Sequence, residues 1–277
     1  MKPAVSRFLL TIGVRCAIIT ERFIVKGGHV MIQDLHSHTY YSFCGQDNPE
    51  AVVQAAIDGG IELLGITDHH YGVTNARKDV HRYEGRDLSH TAERTLMRYL
   101  DHMRLIQEKY ADRIRILCGI EVTATTGWPR MMIPDDADFS DFDYCLLEHL
   151  DSPDNALNGD VFAFAERAGC PVGIAHTDMF AFLNQRGEDV YTYFKRMAER
   201  GIFWEMNVNY DSVHKYREHQ YMLSFFENGE QQAIVRESGL RLSVGFDGHR
   251  VEDYLPDRVA FYCRRITEMG IRLAFED

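Results

Sequence analysis

Seven short, nearly continuous apolar runs punctuate the chain, at 31–35, 61–67, 114–122, 144–149, 172–176, 202–209 and 241–246. Runs of this kind, bounded by polar or turn residues, read as strands buried on both faces. Between them the apolar residues return at helical spacing. Asn48-Pro49-Glu50 supplies an N-cap, a proline at the first helical position and an early acid, and Gly59-Gly60 closes that helix. Leu96, Leu100, Met103 and Ile106 mark a long amphipathic helix over 89–110, and shorter helices are expected over 159–168, 188–200, 220–237 and 257–269. Residues 271–275 close the pattern, and the polar, aperiodic stretch 71–90 reads as a lid or substrate loop.

Strands alternating with helices in this rhythm indicate a parallel sheet, and seven such units suit a TIM-like α/β barrel better than an open sheet. No repeat, low-complexity tract or linker divides residues 31–277, so they are expected to form one barrel domain. Residues 1–30 are read apart. Their apolar stretch 8–14 is cut by Arg15 and followed by Glu21-Arg22, too short and too charged to span a bilayer. Lys2 and Arg7 fit a signal peptide, but no small-x-small cleavage site follows. The preferred reading is an extension, or a start codon placed too early, that packs poorly on a domain beginning at Met31.

With 45% hydrophobic and 26% charged residues the composition is that of a soluble globular protein. A net charge of −12 argues against nucleic acid or an anionic membrane as the main partner. A small anionic substrate remains compatible if local cations, such as bound metals, neutralise it. The six cysteines include no C-x-x-C pair and lie in apolar runs, which points to reduced core thiols and a cytoplasmic location. Oligomeric state is not legible.

His36 and His38 stand two residues apart on an extended segment, which turns both imidazoles to one side. In a chain with 13 histidines one such pair says little. The pattern repeats, however: His69, Glu121, His149, His176, Asp247 and His249 also fall at or just past strand ends. In a parallel barrel those ends converge. Imidazole with carboxylate suits zinc, manganese or iron, and eight such residues exceed the needs of one ion. At least two ions are expected, with Glu121 as the bridging carboxylate.

The ordered set Asp34-Leu35-His36-Ser37-His38-Thr39, Ile66-Thr67-Asp68-His69, Gly119-Ile120-Glu121-Val122, Glu148-His149, Ala175-His176 and Gly245-Phe246-Asp247-Gly248-His249 resembles the PHP family, named for polymerases and histidinol phosphatases. The resemblance runs from about Met31 to Leu255. It implies a distorted (β/α)7 barrel with two or three divalent ions (Mn, Zn or Fe) and phosphoester hydrolysis. By that resemblance His36, His38, Glu121 and Asp247 hold one ion, Glu121, His149 and His176 a second, and His69 and His249 contribute to a third. The departure is Ser42-Phe43-Cys44-Gly45-Gln46, where the family usually places an Asp or His ligand. Either Cys44 ligates as a thiolate or the third site is weak. Asp68 reads as a partner that orients a ligand.

Two ions activate water for attack on phosphorus without a Ser or Cys nucleophile. His70 or His176 is a candidate proton donor for the leaving alkoxide. Arg250, ahead of Arg130, Arg186 and Lys215, is the candidate phosphate clamp. Asn207 and Asn209 either contact substrate or anchor a loop. The expected partner is a small phosphomonoester, histidinol phosphate first and a nucleotide or sugar phosphate second; a PHP-like domain that binds metal with little catalysis is the alternative. An amidohydrolase would bridge its metals with a lysine on a strand end, and none stands there.

Overall fold

Each strand pairs with the next in chain order. β1 (Gln33–Asp34), β2 (Leu63–Ile66), β3 (Arg115–Thr123), β4 (Tyr144–Glu148), β5 (Val172–Ile174), β6 (Phe203–Asn207) and β7 (Leu242–Gly245) are all parallel. The two edges then meet. Leu35 N donates to Val244 O at 2.8 Å, Asp247 N to His36 O at 2.7 Å and His38 N to Gly248 O at 2.8 Å. The result is a nearly closed seven-stranded barrel, the distorted (β/α)7 fold expected. It is seen in a computed structural model that describes residues 29–73, 89–125, 138–155, 157, 160–209 and 218–276. Residues 1–28 of the expected extension, residues 74–88 of the expected loop, Arg130 and Lys215 lie outside the described residues.

The helices are α1 (Pro49–Asp58), α2 (His70–Val73), α3 (Ser89–Tyr110), α4 (Val161–Ala168), α5 (Met179–Arg186), α6 (Val190–Glu199), α7 (Gln220–Glu227), α8 (Gly229–Ser238) and α9 (Pro256–Glu268). The signals read for α1 act as expected: Asn48 Oδ1 accepts from Ala51 N at 2.9 Å, and Gly59 closes the last turn. Among the described residues no helix is long and apolar enough to cross a membrane.

Three features differ from the expectation. The ladder of β1 is shorter than 31–35: at its start Ile32 N donates to the Glu62 carboxylate at 2.9 Å, and past its end the Asp34 carboxylate takes up the Phe246 and His36 amides at 2.9 and 3.2 Å. The stretch 220–237 is two helices, since Asn228 ends α7 and caps α8 by accepting from Glu230 N and Gln231 N, both at 3.1 Å. α5 was not expected; Asp178 caps its start and Gly187, at φ 68°, its end. Residues 271–275 close the domain as expected, bridging Leu242 to Leu273, with Leu242 N donating to Arg272 O at 3.0 Å and Ala274 N to Leu242 O at 2.8 Å.

Apolar side chains sort by strand parity. On β4, Tyr144 and Leu146 turn into the barrel with Leu35, Leu63, Leu117, Phe203 and Ala274, whereas Cys145 and Leu147 join the larger layer beneath the helices. Burying each large side chain contributes roughly 1.5–3 kcal/mol. The inner plug is tightly fitted: a Cβ at Gly119 would come within 2.7 Å of the Tyr144 ring, whose hydroxyl donates to Leu35 O at 2.7 Å. Leu63, Tyr144 and Phe203 of the plug open their strands, and Leu117 lies early in β3. The later inward positions on the same strands are Glu121 and Thr123 on β3, Glu148 on β4, and Glu205 and Asn207 on β6.

Candidate metal centre

The polar inward positions and the residues just past the strand ends meet at the carboxyl end of the barrel. Glu121 lies at the centre, with the imidazoles of His36, His38, His69 and His176 between 2.9 and 3.4 Å from its oxygens. His36 Nε2 and His38 Nε2 are 3.2 Å apart, and His38 Nε2 lies 3.1 Å from Asp247 Oδ1. The His249 ring stacks on His38 with centroids 4.5 Å apart. His149 sits at the edge, 3.1 Å from Glu148 Oε2. All eight expected residues therefore share one pocket. Side-chain exposure rises from 0% at His36 to 49% at His149, which gives the pocket a dry floor and an open rim.

Two carboxylates that the sequence reading passed over belong here. Glu205 on β6 accepts from His36 Nδ1 at 2.7 Å and from the His176 amide at 2.8 Å, fixing two imidazoles at once. Gly245 on β7 makes this possible, since a Cβ there would overlap the Glu205 carboxylate. Glu148 on β4 lies between His69 and His149, and Thr123 donates to it. Asp68 acts one step removed, as expected of a partner. It accepts from Thr39 N at 2.7 Å and from Ser42 Oγ at 2.6 Å, and Ser42 Oγ lies 3.1 Å from His38 Nδ1. Asn207 bonds within the site, 3.5 Å from both Glu205 Oε2 and Asp247 Oδ2.

The electrostatics ask for positive charge at the centre. Among the described residues, every ion-pair partner of Glu121, Glu148, Glu205 and Asp247 is a histidine. Burial opposes ionisation of Glu121, but His36 and His69 outweigh it and hold the carboxyl well below its usual range. Burial also opposes charge on His36, and Asp247, Glu205 and Glu121 nevertheless raise its pKa well above the ordinary value. Carboxylates crowded around imidazoles favour added positive charge, and a divalent cation held by neutral imidazoles supplies it. Two buried atoms supply a further test of fit. Glu121 Oε2 and His69 Nδ1 lie 2.9 Å apart as an ion pair, and neither finds a well-aligned hydrogen-bond partner, which leaves both able to serve as metal donors. His69, Glu121 and Glu148 form one ligand-competent trio, and His36, His38 and Glu121 another.

The remaining candidates are placed as follows. Cys44 is exposed, and its ligating atom groups with those of His38, His69 and His249 within 4.8 Å. Desolvation would raise its thiol, but the hydrogen bond with His249 and the charges of His38 and His69 bring it down to about 6. His70 is buried at the start of α2, and burial pushes it down to about 4. Arg250 pairs with Glu252 at 2.9 Å and with Asp253 of its own turn. Arg186 lies exposed on α5 over the Phe182 ring. Asn209 donates its amide to Asn207 Oδ1 at 3.1 Å.

No curated protein sequence matches the chain. Among solved structures, histidinol phosphate phosphatase (HISK) from Lactococcus lactis subsp. lactis Il1403, complexed with zinc, L-histidinol and phosphate, is similar at a TM-score of 0.56 and 16% identity, over 88% of this chain and 95% of that one. The hisK structure from Listeria monocytogenes is 17% identical over 80% of this chain and 96% of that one, at a TM-score of 0.44. The PHP domain model matches residues 34–269, from β1 to the end of α9, and so spans all eight converging residues. That span covers most of the barrel and every residue gathered at its mouth, and it places the chain in the PHP domain family.

Proposed function

We propose that this chain is a metal-dependent phosphoesterase that hydrolyses a small phosphomonoester, histidinol phosphate or a close relative, at the open end of the barrel. The observation that carries the reading is the knot of four carboxylates, Glu121, Glu148 and Glu205 buried and Asp247 partly so, whose only described charge partners are imidazoles. His36, His38, Glu121 and Asp247 would hold one ion. Glu121, His149 and His176 would hold a second, with Glu148 as an added carboxylate donor, and His69 and His249 would contribute to a third. Zinc, manganese and iron all suit such donors.

Divalent ions there supply Lewis-acid neutralisation of a phosphoryl group and ready ionisation of water. The chain's own residues do the rest. Glu205 and the Asp68–Ser42 pair fix the imidazoles of His36 and His38 from behind, so the donors are set before substrate arrives. The floor around His36 is buried, while His149, His176 and His249 are partly exposed at the rim, the side from which a phosphate would approach. As a donor to the second ion His176 would not be free to return a proton to the alkoxide, and the burial of His70 favours a positioning role for that residue. Arg250 would have to leave Glu252 and Asp253 to reach a phosphate. A ligand of this kind also suits a chain of net charge −12, which disfavours polyanions but admits a small anion held by local cations.

The Lactococcus structure holds histidinol and phosphate, and this supports histidinol phosphate as the first substrate to try. The test is phosphate release by chelated protein reloaded with zinc, manganese or iron(II), on p-nitrophenyl phosphate and a panel of phosphorylated metabolites. Ion-dependent release is expected, with histidinol phosphate giving the highest kcat/KM. No release with any ion overturns the phosphoesterase reading, and a sugar phosphate or nucleotide at higher kcat/KM overturns the choice of substrate.

A further inference from the structure

We infer that Cys44 is a metal ligand: together with His69 and His249 it forms a thiolate–imidazole site for one borderline-soft ion, chemically distinct from the carboxylate–imidazole donors around Glu121. The inference rests on the metal-dependent reading above and goes beyond it in assigning a ligand and an ion class.

The geometry comes from the turn after His38. Tyr40 N donates to Asp47 O at 2.8 Å, Ser42 N to Thr39 O at 2.9 Å and Gln46 N to His249 O at 3.0 Å, so the segment curls back against residue 249. Asp68 pins the same turn through the amides of Thr39 and Ser42. The thiol is thereby held among three imidazoles, with the ligating atoms of His38, Cys44, His69 and His249 within 4.8 Å of one another. His38 Nε2 is turned to Asp247 and Glu121, and His69 Nδ1 to Glu121 and Glu148, which leaves Cys44, His249 and the second ring nitrogen of His69 as the donors of this position. Three protein donors with an open fourth place is the pattern of a reactive rather than a purely structural zinc site.

The contrast with the other cysteines supports the assignment. Cys118, Cys145 and Cys263 are buried as core thiols, whereas Cys44 is exposed at the mouth of the pocket beside the imidazoles. A thiolate sulfur selects zinc, iron(II) or cobalt(II) over manganese or magnesium. Binding replaces the thiol proton, which passes to solvent, with the metal–sulfur bond. The expected outcome is one pocket with two kinds of ion preference.

The experiment uses the full chain, stripped of metal by chelator and titrated with cobalt(II). A near-ultraviolet sulfur-to-cobalt charge-transfer band should grow and saturate with one equivalent. Cys44→Ser should lose the band and weaken one equivalent of zinc by at least about tenfold, with an unchanged circular dichroism spectrum. Cys44→Asp should restore the equivalent without the band and accept manganese there. Zinc should also slow alkylation of Cys44 by iodoacetamide, followed by peptide mass. Bound cobalt without the band, together with equal zinc stoichiometry in Cys44→Ser, overturns the thiolate assignment and leaves the proposed function standing. A chain that binds no divalent ion overturns both.

Discussion

Glu205→Gln is the sharpest test of how the pocket is built, because it changes one atom and touches no expected ligand covalently. Glu205 receives two buried donors, His36 Nδ1–H at 2.7 Å and the His176 amide at 2.8 Å, one on each carboxylate oxygen. Glutamine keeps the volume but offers one acceptor oxygen and one NH2 group. Whichever way the amide turns, one of the two donors faces another donor. Leaving a buried donor unmet costs about 1–3 kcal/mol, and about 1.4 kcal/mol is tenfold in a binding constant. Zinc affinity should therefore fall by roughly 5- to 150-fold, in line with the roughly 10- to 100-fold cost of losing a partner behind a ligand. Competition against a chromophoric chelator reads the affinity, and kcat/KM on a turned-over phosphoester reads the consequence. Gly245→Ala attacks the same contact from β7, where the new Cβ would overlap the Glu205 carboxylate and lie 2.6 Å from the His36 Cβ. It should move both readouts in the same direction. A well-folded Glu205→Gln protein within about twofold of the parent in both would refute the reasoning.

Three further outcomes are expected. Glu121→Gln should abolish turnover while circular dichroism and elution volume stay unchanged; near-normal kcat would contradict its central place. Asn228→Ala removes the cap whose side chain takes the Glu230 and Gln231 amides, and should cost about 1 kcal/mol in urea denaturation, where no change would count against the break between α7 and α8. Asp34 is raised by burial from 3.8 to about 6, so it holds its proton more tightly folded than unfolded. Its contribution to stability is present below about pH 4, is lost as the pH rises through about 6, and is flat above. Asp34→Asn should remove that slope, roughly 3 kcal/mol in full, so the stability gap between variant and parent should change across this range. A gap independent of pH in chelated protein would show that Asp34 titrates normally.

Much of this architecture is written in the sequence at the level of strand ends. The seven apolar runs and the histidines and acids that follow them suffice to predict the barrel and to name the eight residues that meet. Glu148 and Glu205 escaped because runs buried on both faces do not reveal which parity points inward. Once Tyr144 and Leu146 are known to face the barrel interior, Glu148 follows two residues later, and Phe203 leads in the same way to Glu205 and Asn207. The Asn-Gly step at 228–229 was a readable signal for a helix break, masked by amphipathic patterns on both sides. α5 is short, and its buried Met179, Phe180, Phe182 and Leu183 give no long helical period to count. Arg250 pairs with Glu252 and Asp253 of its own turn, which adjacency to a ligand motif alone does not reveal.

Parity also explains the strain at His149 and His176. Three of the four non-glycine residues at positive φ among the described residues are His149 (59°), His176 (24°) and Asp247 (56°). A left-handed residue costs about 1–2 kcal/mol, and such conformations persist where their surroundings fix them. On β4, Glu148 has the inward parity, so a regular strand would turn His149 outward. After β5, Ala175 packs in the inner plug, and the same would hold for His176. The left-handed step brings each of these histidines back to the rim, so that one strand end delivers two consecutive positions to one pocket. Local bonds hold the bends in place: the His176 amide to Glu205, the Asp247 amide to His36 O at 2.7 Å, and Asn155 Nδ2 to His149 O at 3.2 Å. Backbone strain and four crowded carboxylates are therefore concentrated where stability would otherwise be cheapest to improve. A cation bound there would offset both, adding about 2.7 kcal/mol at a hundred times its Kd, and the strain is then the means by which a seven-stranded barrel presents more ligands than it has strands.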